Sequence, residues 1–186
     1  MNLLVITEDF RTDQYVALPI VQAMAEWIEL PGKIRVLQEI LGGYDQATDA
    51  KRLEGIVARY PMVDVFILLV DRDGRPNRRL ALANLEKKMN ATGDSIFLAE
   101  HAIQELETWV LAGHDLLGDW TWEDVREEKD VKEHYFYPFA KERGVLDEPG
   151  QGRKLLGVQS GKRYERVRQL CKEDVGRLEE RLSLVK

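Results

Sequence analysis

The sequence predicts an α/β fold: a Rossmann-like parallel sheet of four strands flanked by helices, followed by a helical extension. Three observations carry that prediction. Up to about residue 100, short apolar runs alternate with segments of helical period. The strongest run, DVFILLVD at 64–71, is almost continuously aliphatic, β-branched or aromatic, as in a strand covered on both faces. Beyond residue 100 the periodic stretches are helical. Strands alternating with helices imply right-handed crossovers and hence parallel pairing.

NLLVIT (2–7) is the first strand, an apolar run that ends in Thr7-Glu8-Asp9. Residues 12–29 place Tyr15, Leu18, Val21, Met24, Ala25 and Ile28 at three- and four-residue steps, an amphipathic helix. Thr12 or Asp13 is its expected cap, and Pro19 should kink it or mark a later start. Pro31-Gly32 then turns the chain into KIRVLQEI (33–40), whose alternation marks a second strand nearer an edge. Gly42-Gly43 leads to a helix over about 46–60, stopped by Pro61. After the central strand 64–71 come the loop RDGRPN (72–77), a helix over 78–90 and a fourth strand, SIFLAE (95–100).

A helix is expected over 102–113, with Ile103, Leu106, Val110 and Leu111 on one side and Gly113 as its stop. The stretch 119–133 carries seven carboxylates against Arg126, Lys129 and Lys132, a solvated helical face. HYFYPF (134–139) reads as a hydrophobic docking patch, and 162–185 as a terminal helix with Cys171 on its apolar stripe, a packing position. The α/β part thus spans 1–113, and the helical extension 114–186 packs on it as one globular unit.

The 186 residues suit one compact unit. A net charge of −6 argues against a general coat on nucleic acid, because phosphate binding rests on Lys and Arg. The charge is sorted, however: 72–88 has six basic residues against Asp73 and Glu86, and 161–186 has eight against five acids. The single Cys171 excludes a disulfide framework within the chain and a Cys-rich zinc site, and it fits a reducing compartment. The longest apolar run, 65–70, falls far short of the ~20 residues of a membrane helix. The first ten residues lack the basic start of a signal peptide, so a cytoplasmic location is expected.

Ligands of open parallel sheets bind outside the carboxyl ends of the strands. Here the first strand ends in Glu8-Asp9 and the central one in Asp71-Arg72-Asp73. The i, i+2 spacing puts Asp71 and Asp73 on one side of a strand, or within reach of one hard cation on the following turn. Mg²⁺ (or Mn²⁺) takes oxygen ligands, typically one or two carboxylates with water. Glu8, Asp71 and Asp73 are therefore candidate ligands and catalytic groups if the first and third strands are neighbours. Glu105 and Glu107, just past the fourth strand, are further candidate ligands. Each also has an ordinary explanation: Asp73-Gly74 suits a turn, Asp71 a loop start, and Glu105 a helix N-terminus.

Arg72, Arg75, Arg78 and Arg79 follow the acidic pair. A cation beside arginines suits a phosphodiester: the metal polarises phosphoryl oxygens and the arginines hold flanking phosphates. The competing explanation is a basic helix face that pairs with the acidic 119–133. Other motifs fail. LLGVQSGKR has Leu156 where a phosphate loop needs glycine, and Arg163 where it needs Ser or Thr. No strand is followed by G-x-G-x-x-G, and His101, His114 and His134 lack metal-ligand spacing. LLVDRDGR departs from the haloacid-dehalogenase pattern at Arg75, and a receiver domain's lysine after a fifth strand is missing.

A glutamate ending strand one, Asp-x-Asp ending strand three and acids beyond together resemble the Toprim fold of topoisomerases, primases and overcoming-lysogenization-defect nucleases. LLVITED, FILLVDRDG and QELETWVLAG, the last with Glu105, Glu107 and Trp109, are similar to a family of small bacterial Toprim-like proteins grouped as a domain of unknown function. The tail KLLGVQSGKRYERVRQLCKEDVGRLEERL extends the resemblance over nearly the whole chain. The resemblance implies that Glu8, Asp71 and Asp73 bind Mg²⁺, with Glu105 or Glu107 as a further ligand or a shaper of the site. It also implies a metal-dependent nuclease acting on DNA or RNA, in a defence or toxin-like system beside an ATPase partner. Asp9 stands where that family usually has glycine, which weakens the case for close backbone approach to a phosphate there. Trp109 is expected in the core. The alternative expectation is a non-catalytic module that docks a partner, such as an ATPase, through HYFYPF or the terminal helix.

Overall fold

The computed structural model describes residues 1–91 and 93–185. Strands β1 (Asn2–Ile6), β2 (Lys33–Val36), β3 (Val65–Asp71) and β4 (Ile96–Ala102) form one sheet in the order β2-β1-β3-β4, with every pairing parallel. The expected α/β architecture with a helical C-terminal region is the observed one. From β1 the chain crosses to β2 on one side, then returns past β1 to β3 on the other. The order therefore reverses between the two central strands, and that crevice is where such sheets hold ligands.

Pleat alternation divides the strand side chains between two cores. Leu3, Val5, Ile67 and Leu69 pack against helix α1 (Phe10–Trp27). Leu4, Ile6, Phe66 and Leu68 pack against the short α2 (Tyr44–Ala47), α3 (Ala50–Arg59) and α4 (Arg78–Asn90). Helix α1 starts earlier than its apolar period suggests, because Asp9, not Thr12 or Asp13, caps it through the Arg11 N–H at 3.0 Å. The helix expected over 46–60 is two, since the Asp49 carboxylate accepts the Arg52 N–H at 2.7 Å and starts α3 afresh. Strand β2 covers only half of the expected 33–40. The chain then runs past the end of β1, where Leu41 N–H bonds the Glu8 carbonyl at 3.0 Å.

The largest departure lies at 102–113. Strand β4 continues through His101 and Ala102, opposite Val70 and Asp71, and helix α5 begins only at Glu107 (Glu107–Ala112). The intervening loop is captured by Asp71, whose Oδ1 accepts the Leu106 N–H at 2.9 Å. Helix α6 (Trp122–Glu127) occupies part of the acidic stretch. The aromatic segment 134–139 is no exposed patch. It enters α7 (Tyr137–Glu142) through a π-helical turn at Lys132–Phe136, and Phe136 and Phe139 are fully buried.

Helix α8 (Arg153–Lys162) comes first, and the single helix expected over 162–185 is broken into α9 (Tyr164–Leu170), a π-helical turn (Lys172–Gly176) and α10 (Arg177–Ser183). The break turns Asp174 inward, where it accepts from Ile103 N–H, Trp109 Nε1–H and the Arg126 guanidinium at 2.9, 2.8 and 3.1 Å. Cys171 and Trp109 are buried core residues, as expected. Pro19 sits inside α1 and has no N–H to offer the Tyr15 carbonyl. Gly157 of α8 covers that carbonyl so closely that a Cβ would lie 2.0 Å from it, and one on Gly161 would lie 3.0 Å from the Pro19 oxygen. The glycines of the failed phosphate loop are thus the contact by which α8 crosses α1. Among the described residues, no helix is long and apolar enough to cross a membrane.

Candidate metal centre

Strands β3 and β4 end side by side, with Asp71 opposite Ala102. Both segments then enter left-handed backbone, at Asp73 (φ 46°), Gly74 (φ 66°) and Gln104 (φ 69°). Aspartate is among the few side chains that tolerate this region. Gly74 also needs its missing Cβ, because the Lys129 side chain lies on it, 3.0 Å from where a Cβ would stand. Gln104 joins the two turns. Its carbonyl accepts Arg72 N–H and Asp73 N–H at 2.8 and 3.1 Å, and its Oε1 accepts Gly74 N–H at 3.0 Å. Asp73 and Glu105 are thereby brought to the same place.

One carboxylate oxygen from each of Asp71, Asp73 and Glu105 lies within 4.8 Å of the others. Each group is already held by a donor. Besides Leu106 on Asp71, Arg78 Nη1 donates to Asp73 Oδ2 at 2.7 Å and Lys132 N–H to Glu105 Oε2 at 2.6 Å. The Lys132 ammonium stands 3.4 Å from Glu105 Oε1. Asp71 Oδ2 and Asp73 Oδ1 accept no hydrogen bond among the described residues.

Further carboxylates crowd in behind. Glu8 Oε1 accepts the Asp71 N–H at 3.1 Å. Burial pushes the Glu8 pKa up to about 7; the Asp71 N–H opposes this and the Asp73 charge adds to it. Burial likewise brings Asp13 up to about 6, against the Asp9 N–H and with repulsion from Glu107. Asp71 is raised well above the ordinary carboxylate range by burial, then by Glu107, Glu8, Asp13 and Glu105. Glu105 is raised by burial, which the Lys132 N–H opposes, and by Glu107. Burial works against the charge of Lys132, but attraction to Glu105, Glu107 and Glu133 outweighs it and raises its pKa.

The residues singled out from sequence land differently. Asp71, Asp73 and Glu105 meet in one cluster, whereas Glu8 adjoins it through Asp71. Glu107 is engaged elsewhere, in a buried ion pair with Arg153, whose guanidinium also faces the Phe136 ring at 5.0 Å. The arginines separate too. Arg78 is 6% exposed, lies 3.9 Å from the centre of the Tyr44 ring and donates to the Asp71 carbonyl as well as to Asp73. It braces the turn. Arg79 donates to the Glu173 carbonyl at 2.7 Å, Arg75 is exposed and Arg72 is half-buried. Among the described residues, the basic 72–88 segment forms its ion pairs with Asp73 and Glu54, not with the acidic 119–133.

Asp13, Gln104, Lys132 and Arg153 escaped the sequence reading as members of this region. Asp13 carried a local signal, an acid five residues beyond Glu8 on the first turn of the next helix. Lys132 and Arg153 carried none, since their partners lie 27 and 46 residues away.

The donor set suits a hard divalent cation: three carboxylates, two with an oxygen left unbonded, in a region of mutually repelling acids. Among the described residues, the buried side-chain polar atoms without a partner are Thr7 Oγ1, Arg72 Nε and Arg78 Nε, all next to these strand ends. In comparisons with known proteins, the chain matches no family model, no curated protein and no solved structure.

Proposed function

We propose that the chain is a metal-dependent phosphodiester hydrolase of the Toprim type its motifs resemble, acting on nucleic acid in the cytoplasm. The observation that carries this reading is the meeting of Asp71, Asp73 and Glu105 at the crevice between β1, β3 and β4. These three would hold Mg²⁺ or Mn²⁺. A divalent cation there supplies the positive charge that polarises a phosphoryl oxygen. Glu8 stands outside the three and takes the role of general base, accepting a proton from the attacking water. In the metal-free fold burial raises its pKa to about 7, the direction a general base working near neutral pH requires. Arg75 is exposed and would approach flanking phosphates directly, Arg79 would first have to leave the Glu173 carbonyl, and Arg78 keeps Asp73 in place.

The competing reading, a module that docks a partner such as an ATPase, drew on HYFYPF and the terminal helix. Phe136 and Phe139 of the first and Val167, Val175, Leu178 and Leu182 of the second are spent on the chain's own core, which leaves Leu184 exposed at the end of the terminal segment. The test of the hydrolase reading is nicking of plasmid, single-stranded DNA and RNA by the pure chain with Mg²⁺ or Mn²⁺. Wild type should cut. Asp71→Asn with Asp73→Asn, and Glu8→Gln, should each lose at least about 100-fold, the scale of a missing acid–base or electrostatic group. Cutting that survives the aspartate pair's replacement would sink the reading.

A further inference from the structure

The centre already contains a cation of its own. We propose that the Lys132 ammonium is an internal counter-ion, which a divalent cation must displace from Glu105 in order to bind. The proposal rests on the metal reading above and adds what competes for the site. Glu105 is the one member of the cluster with both carboxylate oxygens engaged, and both by Lys132: Oε2 by its N–H at 2.6 Å and Oε1 by its ammonium at 3.4 Å. The two contacts differ in kind. The N–H belongs to a backbone pinned on both sides, since the Glu127 carbonyl accepts Gln104 Nε2 at 3.3 Å and Lys132 opens the π-helical turn into α7. It orients Glu105 and stays.

The ammonium has somewhere to go. Its side chain is 33% exposed, and Glu133 Oε1 offers a second carboxylate at 3.5 Å on the solvent side. The other donors of the cluster lack this freedom. Leu106 gives a backbone N–H, and the Arg78 guanidinium is buried against Tyr44. Lys132 is therefore the charge that balances Glu105 in the metal-free fold and the one that can leave. Loss of a partly exposed ion pair is a modest competition, so removing the ammonium should tighten cation binding about fivefold.

The experiment is calorimetric titration of Mn²⁺ into the full chain, comparing wild type, Lys132→Met, Lys132→Arg and the Asp71→Asn/Asp73→Asn pair. All four retain the residue 132 N–H; circular dichroism checks the fold, and Lys132→Gln serves if the Met variant misfolds. Expected are tighter binding by the neutral variant, no tightening by the Arg variant, and loss of binding in the aspartate pair. Equal or weaker binding by Lys132→Met overturns the counter-ion proposal and leaves the metal reading standing. Binding that persists in the aspartate pair, or binding by neither wild type nor Lys132→Met, overturns the metal reading and this proposal together.

Discussion

Glu8 Oε1 accepts the backbone N–H of Asp71 at 3.1 Å, tying the end of β1 to the end of β3. The bond spans the crevice at which the strand order reverses. It puts a carboxylate from one central strand behind the carboxylate that ends the other. Because the sheet and α1 shield this place from water, neither charge is well solvated, and the pair is held in repulsion by the fold around it.

That repulsion has a pH signature. Glu8 rises from 4.5 to about 7 on folding and Asp13 from 3.8 to about 6, so the folded chain binds these protons more tightly than the unfolded one. Their contribution to stability is full below the unfolded values and is lost as pH rises through about 6 to 7. In chelator, thermal unfolding should show wild type less stable at about pH 8 than at about pH 5. Glu8→Gln should recover on the order of 2 kcal/mol of that difference. A Glu8→Gln melting profile parallel to wild type would show that Glu8 is not the titrating group.

A divalent cation should reverse the loss. At about 100 times its dissociation constant, Mn²⁺ stabilises a specific site by about 2.7 kcal/mol, read as a higher Tm. The Asp71→Asn/Asp73→Asn pair should show no such rise. Asparagine suits position 73, whose backbone is left-handed at φ 46°. An equal Mn²⁺ effect on both proteins would place the cation elsewhere.

The Glu107–Arg153 pair is a structural support for the same region. Removing the arginine alone strands a buried carboxylate among Asp13, Asp71 and Glu105, and Arg153→Met should cost about 3–5 kcal/mol in urea unfolding. Adding Glu107→Gln should restore much of it, so a double-mutant cycle gives a large coupling energy. Additive losses would mean that the pair is not coupled.

Two glycine substitutions separate close packing from free space. Gly157→Ala drives a methyl to 2.0 Å from the Tyr15 carbonyl and should cost about 3 kcal/mol by forcing α8 off α1. Gly55, within α3, has nothing within 4 Å of its would-be Cβ, so Gly55→Ala should stabilise by about 0.5–1 kcal/mol. Chemical denaturation of both variants decides it, and similar effects at the two positions would refute the crossing contact.

What could be read in the chain and what could not divide at a consistent distance. Helix α4 falls on the expected 78–90, and β1 and β3 lie within a residue of their expected limits, because apolar period and β-branched content are properties of neighbouring residues. Asp71, Asp73 and Glu105 were legible for the same reason: acids at strand ends mark the carboxyl edge of a parallel sheet. The loop at 103–106 was not, because Asp71 captures Leu106 across 35 residues and Asp174 captures Ile103 across 71. Those bonds override a helical period that is locally sound.

The sequence by itself determined an α/β sheet, its parallel sense, the acids at its rim and a cysteine given over to packing. Only the tertiary structure decided which acids meet, that Glu107 belongs to Arg153, that Arg78 braces rather than clamps, and that HYFYPF turns inward. The physical reason is range. Propensity and periodicity act over a few residues, whereas a buried charge takes whichever partner the completed fold brings to it.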